Sequence, residues 1–513
     1  MKKSIFAIIA IMAITYSVNA QKMSIENVYK ITLRNSDAIR QGSEVKGYYF
    51  FYVSDKVDRK NNEYTLRITD ENLAILKDVK FEDSKNVTVL ESSFNGTDLI
   101  FLFYNEDERT LEYKVYGVDG KMKFSYVREL TKKEKTFLQM TYLSVNDDEN
   151  TYKGLYPIEG LGFISNTPSR ESRDFTFQID FFSTDKKNQW TYNPTEGAKK
   201  FLGDYLGTSN GIVYLEVLKY SSIMDQKPES SLVGLSLETG KPLFEIGTDS
   251  KYRFYPSSLS TLNDGSSFLF GEFFDQNANV IKDKSKGFAF WKVDAAGKIT
   301  FEKYCLWDAD LGKYLNVSSK GKIDDFGYMY LHKMVQVADG SIYAIGEGYK
   351  KNASALGIAS KVLSGGGISA VKIKVTDMIL IKFDKSFDVK NAKIYDKNSN
   401  SVELPSGAEY MSAAALGKFI KYTYGGFDYA YTQVNKDKTS FTVCYSDYER
   451  GKDYRGGTFN SITYNNGKIT TDKINTKSDA SSTSVLPGKQ GQVLMLDYYK
   501  KAKRLDIHFE KLN

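Results

Sequence analysis

The sequence predicts an all-β fold: a β-propeller of seven or eight blades closed by its N- and C-terminal strands, with short helical insertions in loops. Three observations support this prediction, namely a recurring hairpin, a recurring strand opening and a large supply of strand-forming aromatic residues. The 513 residues include 37 Tyr and 32 Phe, which favour half-buried pleated strands. Hydrophobic residues make up 41% of the chain, enough for a large core, so wholesale disorder is excluded.

The recurring hairpin consists of an aromatic and β-branched strand, a tight turn and a second alternating strand. Its clearest copy is the phrase FAFWKVDAAGKITFEKY at residues 288–304. Further copies occur at residues 64–76, 112–126, 232–244 and 378–395. A chain built on one repeated hairpin indicates a repeat architecture, because each unit needs a neighbour to cover its faces.

A second recurring phrase is a turn followed by an aromatic strand, and it occurs eight times. The eight copies begin at Gly47, Asn95, Gly160, Asn210, Asp264, Asp339, Gly425 and Gln490. Their spacing of roughly 50 to 85 residues exceeds the ~40–50 residues of a compact blade, so long loops are expected. Seven blades remain an alternative to eight, because the third and seventh copies match poorly.

The two ends of the mature chain are expected to pair with each other. The last repeat contains only two clear strands, and the extended run NVYKITL at residues 27–33 has no partner in its own repeat. Pairing these ends would close the ring and remove its exposed edges. We therefore expect residues 21–513 to form a single propeller-like domain.

Three segments interrupt the strand pattern. Thr131 and Glu134 have the spacing of a capping box ahead of a short helix. Ser406 and Glu409 form a second such pattern, which predicts a helix running to about Tyr422. Residues 351–370 are rich in small side chains and are expected to form a loop.

The N-terminus has the pattern of a signal peptide. Lys2 and Lys3 precede a short apolar run at residues 5–16, and small residues lead to a cleavage site between Ala20 and Gln21. The apolar run is too short to span a bilayer comfortably. The alternatives are a buried strand or an uncleaved anchor. The pattern predicts export to the periplasm or the cell exterior, with no transmembrane segment after cleavage.

The exported N-terminus, the Lys/Asn/Tyr-rich repeats and the phrase HKMVQVADGSIYAIGEGY at residues 332–349 carry a resemblance to known proteins. They resemble secreted β-propeller-like proteins of Bacteroidota, including families of unknown function. The resemblance covers most of the mature chain and involves no catalytic motif. It implies a fold class and a compartment, and no reaction.

The net charge of the chain and its lack of known catalytic motifs limit the classes of function that the sequence supports. A net charge of +6 is small against 70 basic and 64 acidic residues, and no long block of one sign favours nucleic acid or a polybasic membrane surface. His332 and His508 are the chain's two histidines, and neither lies in a nucleophile or zinc-protease motif. Both are interpreted as packed or surface residues, and the motifs identify no cofactor.

The two cysteines, Cys305 and Cys444, lie in strand-like runs of different repeats. Export permits a disulfide between them. Isolated cysteines are more commonly buried as small hydrophobic residues, so the sequence leaves both alternatives open.

Calcium is the metal that the loop sequences favour, if any is bound. Asp308 and Asp310, and separately the acidic run at residues 146–149, place several oxygen ligands in loops. Neither completes a known calcium-binding loop, so solvated turn carboxylates are the alternative.

Four carboxylates recur at similar points of their repeats, and they are the candidate ligand-binding residues. Glu272 and Glu347 each lie eight residues after the turn residue that opens their strand; Glu216 and Asp497 lie close to that register. In a propeller such positions form a ring, which would give carboxylates around a central pocket for a cation or polar ligand. The alternative is that each pairs with Lys, Arg or Tyr of a neighbouring blade.

These observations favour an exported, non-catalytic binding or interaction protein, expected to be monomeric, with an envelope protein or a glycan as partner. One alternative is a carboxylate-dependent enzyme acting on glycans, since two Asp or Glu residues suffice for that chemistry. Another is a structural component of the envelope. Aromatic residues at Trp307 and residues 424–431 could form a sugar platform, but aromatic residues in strands more often belong to the core.

Overall fold

A computed structural model describes residues 22–142, 153–171, 174–194, 200–221, 228–354 and 368–512. Strands make up 63% of the structure and helices 6%, so the predicted all-β class is confirmed. The strands of the described residues form eight blades in a propeller arrangement, which decides between seven and eight. The cleavage site at Ala20 and Gln21 and the acidic run at residues 146–149 lie outside the described residues.

The strands of the described ranges are numbered in chain order. Those of the first half are β1 (Lys22–Glu26), β2 (Lys30–Ile31), β3 (Asp37–Gln41), β4 (Glu44–Lys56), β5 (Asn61–Asp70), β6 (Ile75–Ser84), β7 (Val87–Phe94), β8 (Asp98–Asn105), β9 (Thr110–Gly117), β10 (Met122–Glu129), β11 (Leu155–Ile158), β12 (Gly162–Glu171), β13 (Asp174–Ser183), β14 (Gln189–Tyr192), β15 (Lys200–Ser209), β16 (Ile212–Tyr220), β17 (Glu229–Ser236) and β18 (Pro242–Gly247). Those of the second half are β19 (Arg253–Thr261), β20 (Ser267–Phe274), β21 (Gly287–Val293), β22 (Ile299–Leu306), β23 (Tyr328–Gln336), β24 (Ile342–Ala353), β25 (Ile368–Phe383), β26 (Val389–Tyr395), β27 (Asn400–Pro405), β28 (Tyr429–Val434), β29 (Ser440–Arg450), β30 (Arg455–Asn465), β31 (Lys468–Asn475), β32 (Ser482–Pro487), β33 (Gln492–Tyr499) and β34 (Arg504–Lys511).

Each blade is an antiparallel sheet, and in blades other than the last its strands are consecutive in the described chain. In chain order the blades are β2–β6, β7–β10, β11–β14, β15–β18, β19–β22, β23–β27, β28–β31 and β32–β34 with β1, numbered blade 1 to blade 8. First strands of neighbouring blades contact each other, as β7 does with β11 and β15 with β19. The first strands therefore line the centre of the ring.

Terminal strands close the ring, as predicted. In blade 8, β1 pairs with β34, with Lys22 opposite His508 and Glu26 opposite Arg504. The closing segment begins five residues before the run that the sequence suggested. Within that run, Lys30 and Ile31 pair instead with β4 in blade 1. The expectation of closure was right, and its assignment to residues 27–33 was wrong.

The recurring hairpin is the third and fourth strand of a blade. Its five copies are β5–β6, β9–β10, β17–β18, β21–β22 and β25–β26. In the turn at residues 294–297, the Asp294 carboxylate accepts hydrogen bonds from the N–H groups of Ala296 (3.0 Å) and Lys298 (2.9 Å). Gly297 has φ of 82°, which a glycine adopts without steric cost.

The recurring opening is the turn between the first and second strands in six of its eight copies. The copy at Gly47 lies inside β4, and the copy at Gly425 leads into β28, the first strand of blade 7. The corresponding turn of that blade comes before β29, where Lys438 has φ of 55°. Gly425 was misread because it ends a helical insertion with φ of 50°, and so has the sequence of a turn.

The core lies between the blades. One cluster packs blade 5 against blade 6, with the rings of Phe290 and Phe387 stacked at a centroid distance of 4.5 Å. Cys305 belongs to this cluster, and Cys444 to another between blades 7 and 8. Both cysteines are free and buried, so the disulfide alternative is wrong and they act as small hydrophobic residues.

Five blades share an irregularity that the sequence did not suggest. The first strands β7, β15, β19, β23 and β28 each contain one extra residue relative to the second strand. These bulged residues are Leu90, Leu206, Ser257, His332 and Ala430. A bulge bends its strand and re-aims its side chain, so the bulges shape the wall of the central space.

The two predicted helices have different outcomes. Helix α1 (Lys132–Tyr142) has the capping box, since the Glu134 N–H donates to Thr131 Oγ1 (3.2 Å) and the Thr131 N–H to Glu134 Oε2 (2.9 Å). Helix α2 (Ala413–Phe419) begins later than expected. Its N-cap is Ser412, and a π-helical turn (Ile420–Tyr424) continues it.

The second prediction failed at its start. Ser406 precedes only a 3-10 turn (Ala408–Tyr410), which contains Glu409, and the Glu409 carboxylate accepts from the Gly407 N–H (2.7 Å). Met411 is extended and separates this turn from α2. Among the residues that the structure describes, no helix has the length and apolar character needed to cross a membrane.

Candidate functional site

The carboxylates singled out in the sequence occupy matching places in three consecutive blades. Glu216, Glu272 and Glu347 lie on the second strands of blades 4, 5 and 6, two residue pairs before the shared bulge. The residues opposite them on the first strands are Asp204, Tyr255 and Tyr330. Because the bulge and the register repeat, the three carboxylates lie at one level of the ring.

An insertion between blades 6 and 7 covers this level. The Ser412 hydroxyl donates to the Val280 carbonyl of blade 5 (2.6 Å) and caps α2 by accepting from the Ala415 N–H (3.1 Å). Gly417 lies so close to Tyr330 that a Cβ atom there would be 2.9 Å from its ring. The glycine therefore allows α2 to pack directly on blade 6 and to bring its lysines toward the carboxylates.

Glu216 forms a buried ion pair with the insertion. The Lys418 ammonium contacts the Glu216 carboxylate and lies 3.2 Å from Asp204 Oδ2 and 4.1 Å from the ring centroid of Tyr255. Burial opposes the charge of Lys418, but these neighbours outweigh it and raise its pKa. Burial raises the pKa of Glu216 to about 7, and its Oε1 atom is buried with no hydrogen-bond partner. Lys418 thus remains a cation.

Glu272 has the same register and a different environment. It lines a cavity of about 20 Å³ together with Tyr255 and Lys418. Burial raises the pKa of Glu272 to about 7, opposed by a hydrogen bond with Ser285 and by the charge of Lys418. Within the described residues no basic group forms an ion pair with it. This carboxyl can therefore change protonation near neutral pH.

Glu347 is fully buried and has several polar partners. Lys397 Nζ lies 3.0 Å from its Oε1 atom, and the same ammonium contacts Asp428. The N–H groups of Asp428 and Tyr429 both donate to the Glu347 carboxylate at 3.1 Å. Burial raises the pKa of Asp428 to about 6. The carboxylate and its lysine form a closed network that joins blade 6 to blade 7.

His332 packs against this network. It is the bulged residue of blade 6, and its ring stacks on Tyr429 at a centroid distance of 4.6 Å. Its Nε2 atom lies 3.4 Å from the Glu347 carboxylate, yet neither ring nitrogen has a hydrogen-bond partner in the described structure. Burial, followed by the charges of Lys421 and Lys397, lowers the pKa of His332 well below its ordinary value. The imidazole is neutral.

The remaining sequence candidates lie elsewhere. Asp497 is on the second strand of blade 8 and accepts a hydrogen bond from the Thr483 hydroxyl (2.7 Å). Asp310 accepts from the Leu306 N–H (2.9 Å) and pairs with Lys313 (3.3 Å). No group of three metal-ligating side chains occurs within the described ranges, and calcium at Asp308 and Asp310 stays a prediction.

Trp307 follows the interpretation of strand aromatic residues as core residues, whereas two basic residues were missed. Trp307 is buried edge-on against Phe288 at 4.4 Å and belongs to the core, so it forms no sugar platform. Sequence reasoning missed Lys397 and Lys418, which neutralise the carboxylates. Both lie in irregular connections, Lys397 between β26 and β27 and Lys418 in α2, where no periodic pattern marks them.

The family of the chain is shown by a match that covers all of its residues. The model of DUF6770, a family of unknown function, matches residues 1–513. The chain belongs to this family. A search of curated proteins finds no match.

Solved structures that resemble this member of DUF6770 do so at very low sequence identity. The WD40 domain of SCAP from fission yeast is 8% identical with a TM-score of 0.34, covering 95% of this chain and 98% of that one. A prolyl endopeptidase is 10% identical with a TM-score of 0.38, covering 92% and 56%. A putative dipeptidyl aminopeptidase IV from Bacteroides ovatus is 11% identical with a TM-score of 0.29, covering 61% and 46%. Similarities at this level carry no argument about fold or function.

Proposed function

We propose that the protein is an exported, non-catalytic binding module that takes its ligand at the centre of the ring, next to the insertion that carries α2. The observation that carries this proposal is the pairing of Glu216 with Lys418 and of Glu347 with Lys397. Glycoside hydrolysis needs two carboxyl groups free to act on one bond, about 5–10 Å apart. Carboxylates held by buried lysines are better suited to fixing a binding surface.

The test compares binding with turnover. The purified mature protein is applied to a glycan array and, in parallel, incubated with the bound glycans while released reducing ends are measured. We expect saturable binding and no release. Release by the wild type that is lost in Glu272→Gln would overturn the proposal and favour the glycan enzyme, because Glu272 is the carboxyl without a lysine partner.

The pairing of the carboxylates also bears on the alternative of a structural envelope component. Such a protein would need only a stable scaffold, whereas a module needs a specific partner. Affinity capture from envelope extracts with the wild type and with a variant altered at the ring centre separates the two. A partner retained by the wild type and lost by the variant supports the module.

Export is the second part of the proposal, and its support is the signal-peptide pattern ending at Ala20. The mass of the protein purified from the periplasm or the medium is expected to fit an N-terminus at Gln21. Recovery of the full-length chain from the cytoplasm would contradict it. Light scattering of the same preparation measures the molar mass in solution and so tests the predicted monomeric state.

A further inference from the structure

The packing between blades changes at one position of the ring. Each blade with a bulged first strand has, on its second strand, a residue two places before the one that pairs just after the bulge. In blades 2, 4, 5 and 6 this residue is buried, aliphatic or aromatic, and packs against the following blade: Ile100, Ile212, Phe268 and Tyr343. In blade 7 it is the half-buried Thr442. A hydroxyl therefore replaces a core residue of the repeat.

Thr442 belongs to a polar row that crosses three strands of blade 7. It lies opposite Gln433 of β28 and Thr463 of β30. The hydroxyls of Thr442 and Thr463 form a hydrogen bond of 3.1 Å, and Gln433 Nε2 donates to the Gly488 carbonyl of blade 8 (2.9 Å). Alternate residues of a strand share a face, so Thr442 lies on the same side as Cys444, which packs against blade 8. The row therefore faces blade 8.

A cleft of about 480 Å³ lies over this row. Small-molecule sites typically have volumes of ~300–1,000 Å³. Its walls come from the turns before β4 and after β5 in blade 1, the turn before β29 in blade 7 and the turn before β33 in blade 8. The Lys489 ammonium donates to Asn72 Oδ1 at 2.6 Å. This bond joins the wall from blade 8 to the wall from blade 1.

The cleft and helix α2 are on opposite faces of the ring. The strands of a blade alternate in direction, so the turns between first and second strands and between third and fourth strands lie on one face. The connections between blades, including the one that carries α2, lie on the other face. Turns of the first kind line the cleft. A ligand in the cleft would therefore be separate from the ligand proposed at the ring centre beside α2.

The hydroxyl groups of the row can both donate and accept hydrogen bonds. A threonine hydroxyl has one proton and two lone pairs. The bond between Thr442 and Thr463 uses only one of their two protons. The pair therefore still has a proton to donate and lone pairs that can accept, and both residues line the cleft.

The charged residues that line the cleft largely cancel one another. Lys46 Nζ lies 2.8 Å from Glu44 Oε2. The other charged lining residues are Lys436, Lys489 and Glu71. Three lysines against two glutamates leave a single positive charge, so the lining creates no strong field for a multiply charged ligand.

We propose that the cleft at the junction of blades 7, 8 and 1 is a second binding site and that its ligand is a neutral glycan. Sugar hydroxyls donate and accept hydrogen bonds, as threonine hydroxyls do, so the two can pair in either direction. A neutral glycan also needs no compensating charge. An extended peptide that binds through its backbone requires a free strand edge, whereas the polar row lies on the face of a sheet.

The experiment is isothermal titration calorimetry on the full mature chain with cellotriose, maltotriose and mannotriose, and with the tripeptide trialanine. The first cleft variant, Thr442→Val with Thr463→Val, keeps the branched shape of both side chains and removes their hydroxyls. The second, Thr442→Phe, introduces the residue type that blade 5 has at this position and fills the cleft. The matched control, Thr261→Val with Thr300→Val, changes two exposed strand threonines of blade 5.

We expect one oligosaccharide site per chain, weakened about tenfold or more in either cleft variant and less than about twofold in the control. The valine variant should melt no lower than the wild type, because the changed positions become apolar like those of the other blades. If Thr442→Phe does not fold, the valine variant decides alone.

Three results would overturn the inference: equal weakening in the cleft and control variants, no binding of any oligosaccharide, or tighter binding of trialanine. A fourth result separates the two sites. Glycan binding that the cleft variants retain and Glu272→Gln loses would assign the ligand to the ring centre, so the proposed function would stand and the cleft site would be wrong.

Discussion

Glu272 and Glu347 occupy the same register in adjacent blades, each opposite a tyrosine, and differ in the groups that compensate their charge. Glu347 receives an ammonium group and two backbone N–H groups, and its side chain is fully buried. Glu272 is half-buried, forms a hydrogen bond with the side chain of Ser285 and borders a small cavity. A repeat architecture therefore fixes where a side chain lies without fixing whether it is charged.

The difference comes from the segments that connect the strands. Lys397 lies between β26 and β27, and Lys418 lies in α2, so neither belongs to a repeated strand. Each lysine reaches one carboxylate of the ring. These connecting segments, rather than the repeated strands, set the charge around the carboxylates. A change in α2 is therefore expected to have the largest effect.

The largest effect is expected for Lys418→Met. The change keeps the volume of the side chain and removes the cation that compensates Glu216 and Asp204. Breaking a buried pair in this way costs roughly 3–5 kcal/mol in the free energy of unfolding. Urea unfolding at pH 8, followed by circular dichroism, measures it.

The control for Lys418→Met is Lys473→Met, which breaks a pair with Glu449 on the surface. Exposed pairs contribute about 0–1 kcal/mol, so the control should differ little from the wild type. If both variants lose the same small amount, Lys418 is not the compensating charge of Glu216. Adding Glu216→Gln to Lys418→Met should recover part of the loss.

A smaller effect is expected for Ser412→Ala. The change removes the N-cap of α2 and the hydrogen bond to Val280 on blade 5. Losing a cap costs about 1 kcal/mol, and the second bond adds a comparable amount. Thr131→Ala, which removes the cap of α1, is the matched control for stability. Only Ser412→Ala should increase amide exchange at residues 413–419, and equal exchange in both would contradict the role of the cap.

The sequence predicted the ring and the register well, because both depend on local patterns. Glu272 lies as many residues after Asp264 as Glu347 lies after Asp339. Because side chains alternate regularly along a strand, this equal spacing predicted that the two carboxylates lie at one level of the ring. Local patterns also caused the errors. The Ser406 and Glu409 pair has the capping spacing, whereas the working cap, Ser412, has alanine where that pattern expects Glu.

The partners of the carboxylates were beyond prediction for a physical reason. Lys397 and Lys418 are long side chains whose contacts depend on the tertiary course of an irregular segment. Lysines are common on surfaces, and composition gives no sign of which ones face the centre.

The central claim is that equivalent carboxylates differ in charge compensation, and the glutamine variants of Glu272 and Glu347 test it most directly. Glutamine resembles a protonated carboxyl in shape. Because the pKa of Glu272 is raised to about 7, the stability that its protonated form contributes is present below about pH 4.5 and is lost as the pH rises through 7. Glu347→Gln instead removes the charge that Lys397 needs.

The measurement is the free energy of urea unfolding of both variants at pH 5 and pH 8. At pH 8, Glu272→Gln is expected to be more stable than the wild type by roughly 1–3 kcal/mol, given about 1.4 kcal/mol per pKa unit, and close to it at pH 5. Glu347→Gln is expected to be less stable at pH 8 by roughly 2–4 kcal/mol. Changes of the same sign and similar size in the two variants at pH 8 would contradict the account.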